Sequence, residues 1–117
     1  MQQAKSLTFE WLENDDKIAL RFGGELSRNT LLPLWQQRAV FFQAAQNFAL
    51  IEWDLAQLAR IDSAGFALLC DFLRFRQTQA PQQQQRLIHF SDQLLTLADL
   101  YGLSQWIRQF THSTGTH

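Results

Sequence analysis

The sequence predicts an α/β fold: one domain with a small mixed β-sheet of about four strands, its helices mainly on one side, in the order ββαβαβα. Two observations support it. Alternating apolar and polar residues over 6–22 indicate a β-hairpin. Residues 48–90 contain strand, helix and strand at the spacing of a right-handed crossover between parallel strands. An antiparallel pair joined to a parallel unit makes a mixed sheet, and 117 residues are enough to bury its core.

The predicted hairpin consists of two alternating segments around a polar turn. Every second side chain is apolar in 7–12, the period of a strand with one buried face. Asn14-Asp15-Asp16 supplies the turn, and after the second segment, 18–22, we expect Gly23-Gly24 to end the hairpin. A helix over about 31–46 should follow, since Pro33 is tolerated in a first turn. Its apolar stripe is Leu31, Leu34, Trp35, Phe41, Phe42 and Ala45, interrupted by Arg38.

The stretch 48–75 predicts a strand, a loop and a helix. Residues 48–55 are a nearly continuous apolar run of strand length, typical of a strand covered on both faces. From residue 63 the apolar spacing becomes helical and continues to Pro81. The junction Ile61-Asp62-Ser63-Ala64-Gly65 offers two N-capping residues and a small pair that lets another backbone approach. We expect the function at this junction.

The last third of the chain predicts a loop, a strand and one or two helices. A glutamine-rich loop over 82–85 leads into a short strand, 87–90, that includes His89 as a half-buried residue. Ser91 or Asp92 should cap a helix whose inner face carries Leu94, Leu97, Ala98 and Tyr101. Gly102 provides a left-handed stop, and 104–110 add a helical turn or two. The predicted organisation is an N-terminal lead (1–5), the domain (6–110) and a flexible C-terminal tail (111–117).

The predicted helix after residue 63 has two apolar faces. One, suited to the sheet, carries Phe66, Leu69, Cys70 and Leu73. The other lies about half a circumference away and carries Ala64, Leu68, Phe72 and Phe75, which leaves a narrow polar sector of Ser63, Ala67, Asp71 and Arg74. Either neighbouring helices cover the second face, or it is an interface with a partner or with a second copy of the chain.

Composition and charge exclude several classes of function. The formal net charge is -1 with no basic block, so we expect no nucleic-acid partner. No signal peptide and no apolar run of about 18 residues is present, so we expect no direct membrane insertion. The single cysteine, Cys70, lies in an apolar helical pattern, which indicates a buried reduced thiol and a cytoplasmic protein.

Candidate catalytic or cofactor residues do not form a recognisable site. His89, His112 and His117 have no Cys or carboxylate at ligand spacing, so we expect no metal. Ser63 and Cys70 are the candidate nucleophiles, and no sequence feature supplies either with a base. Gly23-Gly24 lacks the lysine of a phosphate-binding loop. The sequence therefore predicts a non-enzymatic protein without a cofactor.

Two short motifs resemble the signatures of the STAS family, named for sulfate transporters and anti-sigma factor antagonists. They are Gly24-Glu25-Leu26 and the segment Ile61-Asp62-Ser63-Ala64-Gly65-Phe66-Ala67-Leu68-Leu69, and the order of elements agrees from residue 6 to about 103. Further similarity, in Leu31-Leu32-Pro33-Leu34-Trp35, in 65–69 and in Thr96-Leu97-Ala98 with Tyr101 and Leu103, points to the STAS subunits of phospholipid ABC transporters in Gram-negative bacteria. This resemblance implies an accessory subunit that maintains outer-membrane lipid asymmetry by binding the transporter's ATPase subunit.

The predicted partner-binding residues lie at the start of the helix after residue 63, where small side chains allow close approach and where the resemblance implies a contact with the ATPase at Ser63. They are Asp62, Ser63, Ala64, Gly65, Ala67 and Leu68, with the permease and substrate-binding subunits reached through the ATPase. The alternative is an anti-sigma factor antagonist, in which the residue at Ala64 is a phosphate-accepting serine. Ser63 stands where the transporter subunits typically have a threonine that contacts the ATPase. The residue types alone also predict that Asp62 or Ser63 is the N-cap of the helix.

Overall fold

A computed structural model describes residues 6–111 of the chain. In that part of the chain, four strands and four helices alternate largely as predicted. They are β1 (Leu7–Asn14), β2 (Lys17–Leu26), α1 (Leu32–Ala45), β3 (Leu50–Ile61), α2 (Ser63–Gln79), β4 (Gln84–Ile88), α3 (Asp92–Leu100) and α4 (Ser104–Thr111). Of these helices, none combines the length and apolarity required to cross a bilayer.

The sheet has the order β1-β2-β3-β4 and is mixed. β1 and β2 pair antiparallel, whereas β2 with β3 and β3 with β4 pair parallel, which confirms the predicted hairpin and crossover. Aromatic contacts join the sheet to the first helix: the ring centroid of Phe41 lies 5.5 Å from that of Trp11 and 5.7 Å from that of Trp53. The predicted small mixed sheet with helices mainly on one side is confirmed.

The opposite face of the sheet carries ion pairs across the strands. Glu52 accepts from Lys17 at 3.3 Å and from Arg86 at 3.1 Å. Asp54 lies 3.4 Å from Arg21 Nε and 3.1 Å from His89 Nδ1. Both carboxylates lie on β3 and are buried, so Lys17, Arg21 and Arg86 on the neighbouring strands offset the cost of removing them from water.

Two predicted strand ends were wrong. β2 continues through Gly23 and Gly24 to Leu26, with irregular register at both glycines. β3 continues beyond Leu55 to Ile61, because parallel pairing with the end of β2 holds its largely exposed second half in an extended conformation. The predicted loop after residue 55 therefore does not exist, and the strand leads almost directly into α2.

The fourth strand also differs from the prediction. It begins at Gln84, inside the predicted glutamine loop, and ends before His89, whose φ of 58° is incompatible with a strand. His89 is therefore not a half-buried strand residue; its side chain is 63% exposed. The glutamines are structural: Gln83 Nε2 donates to Ala45 O at 2.8 Å, and Gln85 accepts from Trp53 Nε1 at 3.0 Å.

Part of the second apolar face of α2 packs against α1. Phe42 of α1 lies edge-on to Phe72 at 5.3 Å and contacts Phe75 at 4.9 Å. Leu68 and Phe72 are buried, while Phe75 keeps 46% of its surface exposed. Trp35, predicted to face the core, is instead exposed beneath the Arg38 guanidinium, 3.5 Å from its ring centroid. The domain itself thus occupies most of this face.

Candidate functional site

Asp62 is the N-cap of α2 and also fixes the neighbouring loop. Its backbone is extended, and its Oδ1 accepts from Gly65 N at 2.8 Å. Its Oδ2 accepts from Arg28 N, in the loop between β2 and α1, at 3.2 Å. Asp62 is therefore the residue that caps the helix, and it also ties the start of α2 to the loop between β2 and α1.

Ser63, the first residue of α2, has an exposed side chain that is not used for capping. Its Oγ accepts a hydrogen bond from Tyr101 Oη at 2.9 Å. The Tyr101 ring in turn lies nearly parallel to Phe66, at 6.3 Å between centroids. Helical spacing placed Tyr101 on the inner face of α3, but 52% of it is exposed. No sequence signal pointed to its contact with Ser63.

Two of the six residues predicted to bind a partner lie inside the domain. A Cβ on Gly65 would overlap the Leu26 carbonyl group, with its carbon 2.7 Å away. The close backbone approach expected at Gly65 is therefore made by the chain's own second strand. Leu68 is buried in the core as well.

The other four residues reach the surface at one corner of the domain. Ser63 and Ala67 are exposed, and Asp62 and Ala64 are partly exposed. Ser63 and Ala67, four residues apart, lie on the same side of the helix. The predicted polar sector of α2, which continues through Asp71 and Arg74, is exposed along its whole length. This face carries one hydroxyl group near its start, that of Ser63.

The candidate catalytic residues are not arranged for chemistry. Burial raises the pKa of the Cys70 thiol to about 12, with Arg74 lowering it and Asp71 raising it to smaller extents. A thiol with that pKa stays protonated at neutral pH. Ser63 contacts a tyrosine hydroxyl, not a base. Within residues 6–111 no three His, Cys, Asp or Glu side chains are grouped as metal ligands, and His112 and His117 lie outside the described residues.

Comparison with curated sequences gives full-length relatives. The chain is 53% identical over 105 residues to the intermembrane phospholipid transport system binding protein MlaB of Haemophilus influenzae, covering 89% of this chain and 98% of that protein. MlaB of Escherichia coli is 34% identical over 98 residues, covering 84% of this chain and 92% of its own length. No protein-family model matches the chain.

Solved structures share the fold at low sequence identity. An anti-sigma factor antagonist from Mycobacterium paratuberculosis superposes with a TM-score of 0.70 at 16% identity, covering 91% of this chain and 86% of that one. The anti-sigma factor antagonist SpoIIAA, in its unphosphorylated form, gives a TM-score of 0.63 at 24% identity, covering 85% of this chain and 84% of its own. The fold is therefore that of the STAS domain, and the full-length relatives show that the chain belongs to the MlaB family.

Proposed function

We propose that this chain is a non-catalytic accessory subunit of an intermembrane phospholipid ABC transporter, which binds the ATPase subunit and supports assembly and activity of the complex. The observation that carries the proposal is the 53% identity, over nearly the whole length of both chains, to a protein named as a binding protein of a phospholipid transport system. The permease and substrate-binding subunits are reached through the ATPase. On this proposal the chain is cytoplasmic and peripheral to the inner membrane.

The geometry of the α2 corner supports a protein partner. Ser63, Ala64 and Ala67 are small, so a helix or shallow groove of the ATPase can approach the helix backbone closely. The corner is held in place by the two hydrogen bonds to Asp62, at 2.8 and 3.2 Å. A fixed surface of small side chains suits close contact with another protein, whereas small-molecule sites are typically concave and lined by large apolar side chains.

The same residues argue against chemistry by this chain. The Ser63 hydroxyl has a tyrosine as its partner, and the Cys70 thiol is buried and protonated. Neither group is an activated nucleophile. ATP hydrolysis is then the task of the partner alone, and this chain acts through binding.

The alternative, an anti-sigma factor antagonist, shares only the fold with this chain. Anti-sigma factor antagonists have a phosphate-accepting serine at the position of Ala64, and alanine has no hydroxyl group. A phosphorylation switch at that position has no acceptor in this chain. Recovery of a serine kinase or sigma-factor regulator in place of an ATPase, in the experiment below, would favour this alternative.

Substitution of Ser63 tests the proposal. A tagged Ser63→Arg or Ser63→Asp variant, expressed in the native host, should fold normally because the side chain is exposed, but should lose the ATPase, since binding would bury an unpaired charge. Ser63→Ala should have a milder effect. Gln43→Arg, on the exposed side of α1, is the matched control and should keep the ATPase. Co-purification of Ser63→Arg with the ATPase at wild-type yield would contradict the proposal.

A further inference from the structure

We infer that the groove between α1 and α2 binds an anionic amphiphile, a small molecule with one apolar chain and a carboxylate or phosphate head. The groove has a volume of about 730 Å³, within the range of about 300–1,000 Å³ that is typical of small-molecule sites. It lies along the second half of α2, beyond the corner that carries Ser63. The inference goes beyond the proposed function and does not depend on it.

The apolar lining of the groove comes from aromatic side chains of both helices. Phe42 of α1 and Phe72 of α2 are buried and lie edge-on, 5.3 Å apart between ring centroids. Phe75 lies 4.9 Å from Phe42 but is 46% exposed, and Trp35 on the α1 side is 40% exposed. The packing of the domain leaves the last two rings open to solvent. An apolar chain laid along them would remove that surface from water.

Two arginines give the groove its complementarity to an anion. Arg38 on α1 and Arg74 on α2 both line it, and neither forms an ion pair with a carboxylate of residues 6–111. The Arg38 guanidinium lies 3.5 Å from the Trp35 ring centroid and donates once, to Trp35 O, whereas that of Arg74 lies 5.1 Å from the Trp106 ring centroid. The aromatic rings hold both groups in place. Most of their N–H donors therefore remain available to a carboxylate or phosphate.

One acidic residue, Asp71, also lines the groove, three positions before Arg74 on the same side of α2. Two guanidinium groups against one carboxylate leave a local charge of about +1, so the groove favours an anion and Asp71 weakens that preference. An inorganic anion would leave the aromatic rings uncovered, and an uncharged apolar molecule would leave the arginines unused. A ligand with both an anionic head and an apolar chain satisfies the whole lining.

Calorimetric titration of the full chain with dodecanoate, kept below its critical micelle concentration, tests this inference. One dodecanoate should bind per chain, at least tenfold more tightly than dodecyltrimethylammonium, which has the same chain and the opposite charge. Shortening the ligand to decanoate should raise the Kd about four- to fifteenfold, because two methylene groups no longer leave water. Inorganic phosphate, an anionic head without a chain, should not bind measurably.

Charge variants show which residues hold the head. Arg38→Gln and Arg74→Gln should each raise the Kd for dodecanoate about fivefold, and Asp71→Asn should lower it. Arg108→Gln is the matched control, since Arg108 is exposed on α4 and does not line the groove. It removes the same charge and should bind as wild type.

A filling variant shows where the chain lies. Ala39 is an exposed residue of α1 that lines the groove, so Ala39→Phe should occupy it and raise the Kd at least tenfold without removing a native contact. Val40→Phe adds a ring of the same size on α1 outside the groove and should leave the Kd unchanged. Circular dichroism should show the wild-type spectrum for both variants.

Several results would overturn the inference. They are the absence of saturable binding, equal affinity for dodecanoate and dodecyltrimethylammonium, or wild-type affinity in Ala39→Phe. Binding that occurs only above the critical micelle concentration, or only to phospholipid vesicles, would show adsorption to a lipid surface and would also refute a molecular site. None of these results bears on the proposed function, which is tested separately with Ser63→Arg and the ATPase.

Discussion

Substitution of Gly65 by alanine tests whether the start of α2 is held against the second strand as described. The added Cβ would overlap the Leu26 carbonyl oxygen, and would lie 2.7 Å from the Leu26 carbonyl carbon and 2.9 Å from Leu26 Cγ. Ordinary contact begins at 3.4 Å, so the helix has to retreat from the carbonyl carbon by about 0.7 Å, and from the oxygen by more. The obstacle is backbone, which cannot rotate away as a side chain does.

The expected cost follows from two opposing effects. Overpacking at a well-packed position costs about 1–3 kcal/mol, and more where the backbone must move. Alanine recovers up to about 1 kcal/mol through its greater helix propensity, although less at a first turn. We therefore expect Gly65→Ala to lower the free energy of unfolding by about 2 kcal/mol. For a domain of this length, that is a fall in melting temperature of roughly 6–10 °C.

Urea unfolding monitored by circular dichroism measures this change. Gly102→Ala is the matched control: its Cβ would meet nothing within 4 Å, but its φ of 71° strains any other residue. That strain costs about 1 kcal/mol, so Gly102→Ala should be the milder of the two variants. If Gly65→Ala proved as stable as wild type, or more stable than Gly102→Ala, the close contact with Leu26 would be wrong.

Three further predictions concern Asp62, Cys70 and Asp54. Asp62→Ala removes the cap of α2 and the bond to Arg28 N, so it should lower the free energy of unfolding by about 1–2 kcal/mol in urea; an unchanged midpoint would contradict the capping role. Cys70, buried with a pKa raised to about 12, should resist Ellman's reagent at pH 8 until the chain is unfolded in urea; rapid labelling of the native protein would refute its burial. At Asp54, burial raises the pKa, but hydrogen bonds from Ala56 N, His89 and Arg21, together with the charge of His89, outweigh it and hold the pKa below its ordinary value. The Asp54 carboxylate therefore stabilises the native state above the ordinary carboxyl pKa of about 4, and this stabilisation is lost as the pH falls through the lowered pKa of Asp54. Asp54→Asn should weaken the dependence of the free energy of unfolding on pH only at acid pH. An unchanged dependence at acid pH would refute the prediction.

The elements that depend on local sequence signals could be predicted from the sequence. The hairpin, α1, the crossover through α2 and the left-handed stop at Gly102 all depend on local pattern, and each is confirmed. The second half of β3 could not be predicted, because residues 56–60 show no regular alternation of apolar and polar side chains and are extended through pairing with β2. Gln84 and Gln85 likewise become strand residues through pairing with Leu50 and Ile51.

The candidate site could be predicted only in part, because some of its features depend on packing between elements that are distant in sequence. Asp62 as a cap follows from its residue type and its place before a helix, and the geometry confirms it. The burial of Gly65 and Leu68 and the position of Tyr101 depend on how α2 packs against β2 and α3, which no local pattern encodes. The assignment of Ser63, Ala64 and Ala67 to a partner stays a prediction.

The two bonds accepted by Asp62 have a consequence for how fast and how selectively the corner can associate. Oδ1 fixes the first turn of α2 and Oδ2 fixes the backbone at Arg28, so the corner has its final shape before any encounter. Association then needs no prior folding step, and its rate should approach that of rigid-body docking. Selectivity between competing partners is correspondingly expressed in how long each complex lasts.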